Sequence, residues 1–133
     1  MEQHHLGSCL CGAVTFRIDG EFDRFFFCHC THCRKETGSA HAANLFSSTA
    51  KLEWRSGEEK VLTCNLPQTR HTRSFCSVCG SAMPHVSREF VVVPAGSLDT
   101  GLALSPDAHI FAASRATWDG DLTGIPVFDT FPS

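Results

Sequence analysis

Seven of the eight cysteines in this chain fall into three tight groups: Cys9-Leu10-Cys11, Cys28-His29-Cys30-Thr31-His32-Cys33 and Cys76-Ser77-Val78-Cys79. Disulfide frameworks space their cysteines more widely, whereas thiols two or three residues apart can converge on one ion. No basic-then-apolar leader opens the chain, so a reducing, cytoplasmic setting is expected, in which thiols stay free for metal. Cys76 and Cys79, followed by Gly80, have the spacing of a zinc knuckle. A thioredoxin-like redox pair would instead open a helix after a strand, and Pro84 follows too soon for that.

Four thiolates close a tetrahedral site, and the economical combination is Cys9 and Cys11 with Cys76 and Cys79 as a structural zinc. Such a site ties the first strand to a distant part of the chain and supplies folding free energy that a small domain can use. Cys28, Cys30 and Cys33 remain. Three protein ligands with an open fourth position form the pattern of a catalytic zinc, where water or a substrate thiol completes the shell. On spacing alone the alternative is equal: His29 or His32 closes this second site and makes it structural. Two zinc ions per chain are expected either way.

Composition narrows the function further. A chain of 133 residues, 42% hydrophobic, allows one domain with a modest core and excludes a two-domain enzyme. The formal net charge of -3, without a clustered excess of Lys and Arg, argues against nucleic acid as a partner. No apolar run approaches the roughly 18 residues of a membrane helix. Residues 1–6 are expected to form an N-terminal tail and residues 7–131 the zinc-binding domain. His4 and His5 would then be mobile and not ligands. His41, His71, His85 and His109 stand apart from the cysteines in sequence and read as ordinary surface or core residues.

The periodicity predicts a small mainly β domain of antiparallel sheets. Val14, Phe16 and Ile18 alternate with Ala13, Thr15 and Arg17 over 12–18, and Phe25-Phe26-Phe27 forms an apolar strand leading into Cys28. Thr31 to Thr37, closed by Gly38, predicts a short helix capped by Thr31, whose dipole favours thiolate at Cys33. Further strands are expected at 44–46, 52–55, 61–66, 72–76, 82–86, 90–93, 109–113 and 116–118, with Phe128 and Phe131 packing back from the tail. Leu62, Cys64 and Leu66 share a strand face, so Cys64 reads as a core filler outside both metal sites.

Gly7-Ser8-Cys9-Leu10-Cys11-Gly12-Ala13-Val14, Cys28-His29-Cys30-Thr31-His32-Cys33-Arg34-Lys35 with Thr37-Gly38, and Phe75-Cys76-Ser77-Val78-Cys79-Gly80 together resemble the glutathione-dependent formaldehyde-activating enzyme family. His109-Ile110-Phe111, Trp118 and Pro126-Val127-Phe128 extend the likeness over roughly residues 7 to 131. The resemblance implies a β-rich fold similar to the Mss4-like proteins. It also implies a structural zinc on Cys9, Cys11, Cys76 and Cys79 and a catalytic zinc on Cys28, Cys30 and Cys33. The implied activity is condensation of formaldehyde with glutathione to S-hydroxymethylglutathione, formally a carbon-sulfur lyase reaction. The implied partners are therefore a small thiol such as glutathione and a small aldehyde, with Arg34 and Lys35 as contacts for glutathione carboxylates. The alternative from another class is a non-catalytic, zinc-stapled binding or chaperone-like module with two structural zincs. The coordination around Cys28, Cys30 and Cys33 separates the two.

Overall fold

A computed structural model describes residues 4–132. The period-two pattern around Phe16 and Ile18 folds as strand β2 (Thr15–Asp19), with both side chains buried and the alternate positions half-buried. It lies between β1 (His4–Ser8) and β5 (Lys51–Ser56), antiparallel to each. β1 begins inside the expected tail. His5 is buried against Phe22, with ring centroids 5.1 Å apart, and His4 forms an ion pair with Asp19. Both histidines are thus built into the sheet rather than mobile. Residues 12–14, expected to begin this strand, instead belong to the turn after β1, with the Cys9 N–H donating to the Val14 carbonyl at 3.0 Å.

A second sheet carries β3 (Arg24–Cys28), β4 (Ala42–Ser47), β9 (His85–Val86), β10 (Val91–Pro94) and β11 (Ala108–Ile110) in the order β11-β3-β4-β10-β9. Its pairings are antiparallel except β11 with β3, which is parallel. The run Val91-Val92-Val93 is buried throughout, so both faces of β10 are covered there, which accounts for its lack of alternation. A third sheet holds β6 (Val61–Asn65), β7 (Thr72–Cys76) and β8 (Ala82–Met83). The strand expected over 82–86 breaks at buried Pro84. A proline has no N–H to donate, and at this residue the chain leaves β7 and joins β10.

Phe16, Ile18, Leu45, Met83 and Val93 make the centre of the core, and Cys9 and Cys76 belong to the same cluster. The three-cysteine segment contributes a separate small cluster in which Cys28 and Cys33 pack with Ala42, Cys30 and Ile110. Cys64 is not a core filler: β6 is an edge strand, and Leu62, Cys64 and Leu66 are all exposed. Residues 116–118 form no strand, the segment expected over 109–113 is a strand only to Ile110, and Phe128 and Phe131 are 59% and 90% exposed rather than packed back.

Candidate metal centre

The hairpin turn after β1 and the turn after β7 bring Cys9, Cys11, Cys76 and Cys79 together, with one sulfur from each within 4.8 Å of the others. Both turns end in the same way. Gly12 follows Cys11 with φ +81°, and Gly80 follows Cys79 with φ +79°. A Cβ would meet nothing within 4 Å at either position, so glycine serves the left-handed backbone there and not close packing. The Gly12 and Gly80 amides donate to the carbonyls of Cys9 and Cys76 at 3.1 and 2.7 Å.

Backbone amides also reach the sulfurs. Val14 N–H donates to Cys9 Sγ at 3.2 Å and Val78 N–H to Cys76 Sγ at 3.4 Å. Burial opposes ionisation of Cys9, yet the Val14 amide and the Cys11 and Cys76 thiols bring its pKa below the ordinary value. Hydrogen bonds from the Ser81 side chain and backbone hold Cys79 down at about 5. At Cys11 the Ala13 amide pulls down, but Cys9 and the other thiols push the group up to about 11. Four converging sulfurs, amides aimed at two of them and a readily ionised thiol suit a thiophilic divalent ion such as zinc. A cleft of about 610 Å³, lined by Ser8, Cys9, Leu10, Ser81, Pro94 and Asp99 among others, opens beside this group.

Cys28 ends β3, and the short helix α1 (Thr31–Thr37) begins three residues later. Cys30, not Thr31, caps it: Cys30 Sγ accepts from the Cys33 N–H at 3.3 Å. Gly38 closes the helix in the left-handed region, its N–H on the Arg34 carbonyl. The sulfurs of Cys28, Cys30 and Cys33 lie within 4.8 Å of one another; Cys28 and Cys33 are buried and Cys30 is half-exposed. Burial pushes the Cys28 and Cys33 thiols up, against the thiolate expected at Cys33. At Cys30 burial is outweighed by the Cys33 amide and the neighbouring thiols, and the pKa falls. The half-exposed cap is the most readily ionised of the three.

Among the described residues, neither candidate histidine joins this trio. The ring of His32 lies 5.2 Å from that of His71, which is paired with Glu36 at 2.7 Å. His29 turns to the other side of its strand end, where its Nε2 lies 2.8 Å from His109 Nδ1 and its Nδ1 lies 3.3 Å from Asp119 Oδ2. His41 completes the gathering, its ring 5.1 Å from that of His29. Sequence reasoning treated His41 and His109 as ordinary residues and missed Asp119. The one available signal was the odd position of His29 between two cysteines, which places it on the opposite face from both.

Fold and donor groups define a small, mainly β protein whose cysteine clusters are suited to metal. The profile of the glutathione-dependent formaldehyde-activating enzymes matches residues 4–114, and the chain belongs to that family. A Halomonas elongata protein, provisionally named as a glutathione-dependent formaldehyde-activating enzyme, is 30% identical over 128 residues, covering 84% of this chain and 77% of the relative. A crystal structure of a Rhodobacter sphaeroides protein aligns with a TM-score of 0.58 at 25% identity, covering 78% of this chain and 98% of that one.

Proposed function

We propose that the protein is a zinc-dependent carbon-sulfur lyase that joins a small thiol, glutathione or a similar molecule, to formaldehyde or another small aldehyde at Cys28, Cys30 and Cys33. The observation that carries this reading is the trio itself: three converging sulfurs, one half-exposed, with no fourth His, Cys, Asp or Glu donor grouped with them among the described residues. Family membership supports the same substrates. In this reading Cys9, Cys11, Cys76 and Cys79 hold a second, structural zinc.

In the reaction the thiol sulfur bonds to the aldehyde carbon, the carbonyl π bond opens, and the thiol proton ends on the new hydroxyl oxygen. No oxidant is needed. A zinc ion held by the trio would supply Lewis acidity and a place for the incoming sulfur. The chain's own part is positioning. Strand β3 and its pairing with Ala42 fix Cys28, and the helix cap fixes Cys30 relative to Cys33. The Arg34 and Lys35 side chains follow on the same helix and would meet the carboxylates of a glutathione-like thiol. The presence of eight free cysteines suits a reducing cytoplasm.

The reading is tested by the rate of exchange, at equilibrium, between formaldehyde plus glutathione and their adduct. The expected result is acceleration by the native protein and none by Cys30→Ala. Equal rates with both, or with no protein, defeat the glutathione reading and leave the fold and the four-cysteine group standing.

A further inference from the structure

Apart from the two cysteine groups, the described residues hold one more convergence of metal-ligating side chains. His29, His41 and Asp119 each place a donor atom within 4.8 Å of the other two. His29 and Asp119 are 1% and 8% exposed. His29 Nδ1, His41 Nδ1 and Asp119 Oδ2 are all buried and none makes a well-formed hydrogen bond, the two ion-pair contacts of Asp119 Oδ2 being 3.3 Å to His29 and 3.5 Å to Arg115. Buried polar atoms in folded proteins are almost always hydrogen-bonded, so three unsatisfied ones at one place call for a shared partner. We propose that His29, His41 and Asp119 form a third metal site, of two imidazoles and one carboxylate, for a borderline divalent transition cation such as Zn(II) or Co(II).

The surroundings fit this donor set. When His29 donates its Nε2–H to His109 Nδ1 across the 2.8 Å contact, its Nδ1 presents a lone pair; an imidazole anchored through its other nitrogen is the usual arrangement of a ligand histidine. The His41 ring is held by stacking on Phe27, with centroids 4.0 Å apart and planes 17° apart. Tetrahedral coordination at metal–ligand distances of about 2.1 Å sets donor atoms ~3.4 Å apart. His29 Nδ1 and Asp119 Oδ2, at 3.3 Å, already have that separation. Arg115 Nε stands 3.5 Å from the same carboxylate oxygen and competes for it. Its side chain is 37% exposed, so the guanidinium can withdraw into water. The site uses none of the sulfurs and does not depend on the lyase reading.

Cobalt(II) added to protein carrying only two equivalents of zinc, enough for the two cysteine groups, tests the proposal by visible absorption and metal analysis. The expected result is a further equivalent of cobalt with d–d bands, no thiolate-to-cobalt charge transfer and no zinc released. Asp119→Asn and His41→Gln should each weaken that binding at least about tenfold, Cys30→Ser should leave it intact, and Arg115→Gln should tighten it. Contact-shifted imidazole proton resonances from the unmodified protein give an independent reading should a variant fail to fold. Cobalt that binds only by displacing zinc, cobalt bound without shifted imidazole resonances, or no binding at all, as when a proton or water alone fills the space, overturns the third site.

Discussion

His29 Nε2 and His109 Nδ1, 80 residues apart in sequence, meet at 2.8 Å. The contact is reinforced beside them by the His29 N–H donating to the Ile110 carbonyl at 3.0 Å. The loop between Cys28 and Cys30 is therefore anchored to β11 through both side chain and backbone. His109→Ala removes the side-chain half and leaves a second nitrogen of the buried His29 without a partner. The expected loss is about 1–3 kcal/mol in urea unfolding. An unchanged midpoint would mean that the backbone bond alone holds the loop.

Cys76→Ala and Cys30→Ala should behave differently. Cys76 is fully buried and lies in the main core cluster beside Cys9, so losing its sulfur opens the four-cysteine group where the sheets meet. The expectation is loss of several kcal/mol, enough to unfold much of the population at 37 °C. Cys30 sits half-exposed at a helix cap outside that cluster, and Cys30→Ala should remove one zinc and cost only about 1 kcal/mol for the lost cap. Metal analysis and thermal unfolding on the same samples read both. Equal destabilisation would assign both metals a structural role.

Gly57 offers a backbone test away from any cysteine. Its φ is +73°, and a Cβ built there would lie 2.2 Å from the Ala13 carbonyl oxygen and 2.9 Å from the carbonyl carbon. Gly12 has a similar φ in open space. Gly12→Ala should cost about 1 kcal/mol for the left-handed backbone alone, and Gly57→Ala clearly more, because a backbone atom must move as well. Denaturant unfolding of the two variants reads the difference, and equal costs would show that the Ala13 segment yields freely.

His5 gives the fold an acid sensitivity. Burial, followed by the charge of His4, lowers its pKa below the ordinary 6.5, and neither ring nitrogen has a hydrogen-bond partner. As pH falls through 6.5 the unfolded chain takes up a proton that the folded chain refuses, so stability declines until the lower folded pKa is reached. His5→Leu removes this contribution and relieves two orphaned nitrogens. The variant should be more stable than the parent at pH 7, and its advantage should grow toward pH 5. Parallel stability curves over that range would show that His5 takes up its proton as readily in the folded chain as in the unfolded one.

The features legible in the sequence were those with a short repeat. Period-two alternation located β2, the apolar run ending at Cys28 located β3, and tight cysteine spacing anticipated both sulfur groups that the fold assembles. Features that depend on partners far along the chain were not legible. Cys64 alternates like a core residue, but its strand has a neighbour on one side only. Pro84 lies inside an apolar stretch, and only the two sheets it joins reveal the break. His41, His109 and Asp119 are unremarkable as letters. They matter because the pairings of β3 with β4 and with β11, and the fold of the turn beyond β11, deliver them to His29.

The parallel pairing of β11 with β3 also sets an order of events during synthesis. Among the described residues, the outer edge of Phe26-Phe27-Cys28 pairs with Ala108-His109-Ile110. At 5–20 residues per second a ribosome needs on the order of 4–16 s to travel from one segment to the other. For that interval an aromatic strand and a reactive thiol present an open edge to other nascent chains, which makes the newborn polypeptide a natural client for chaperones that shield such edges.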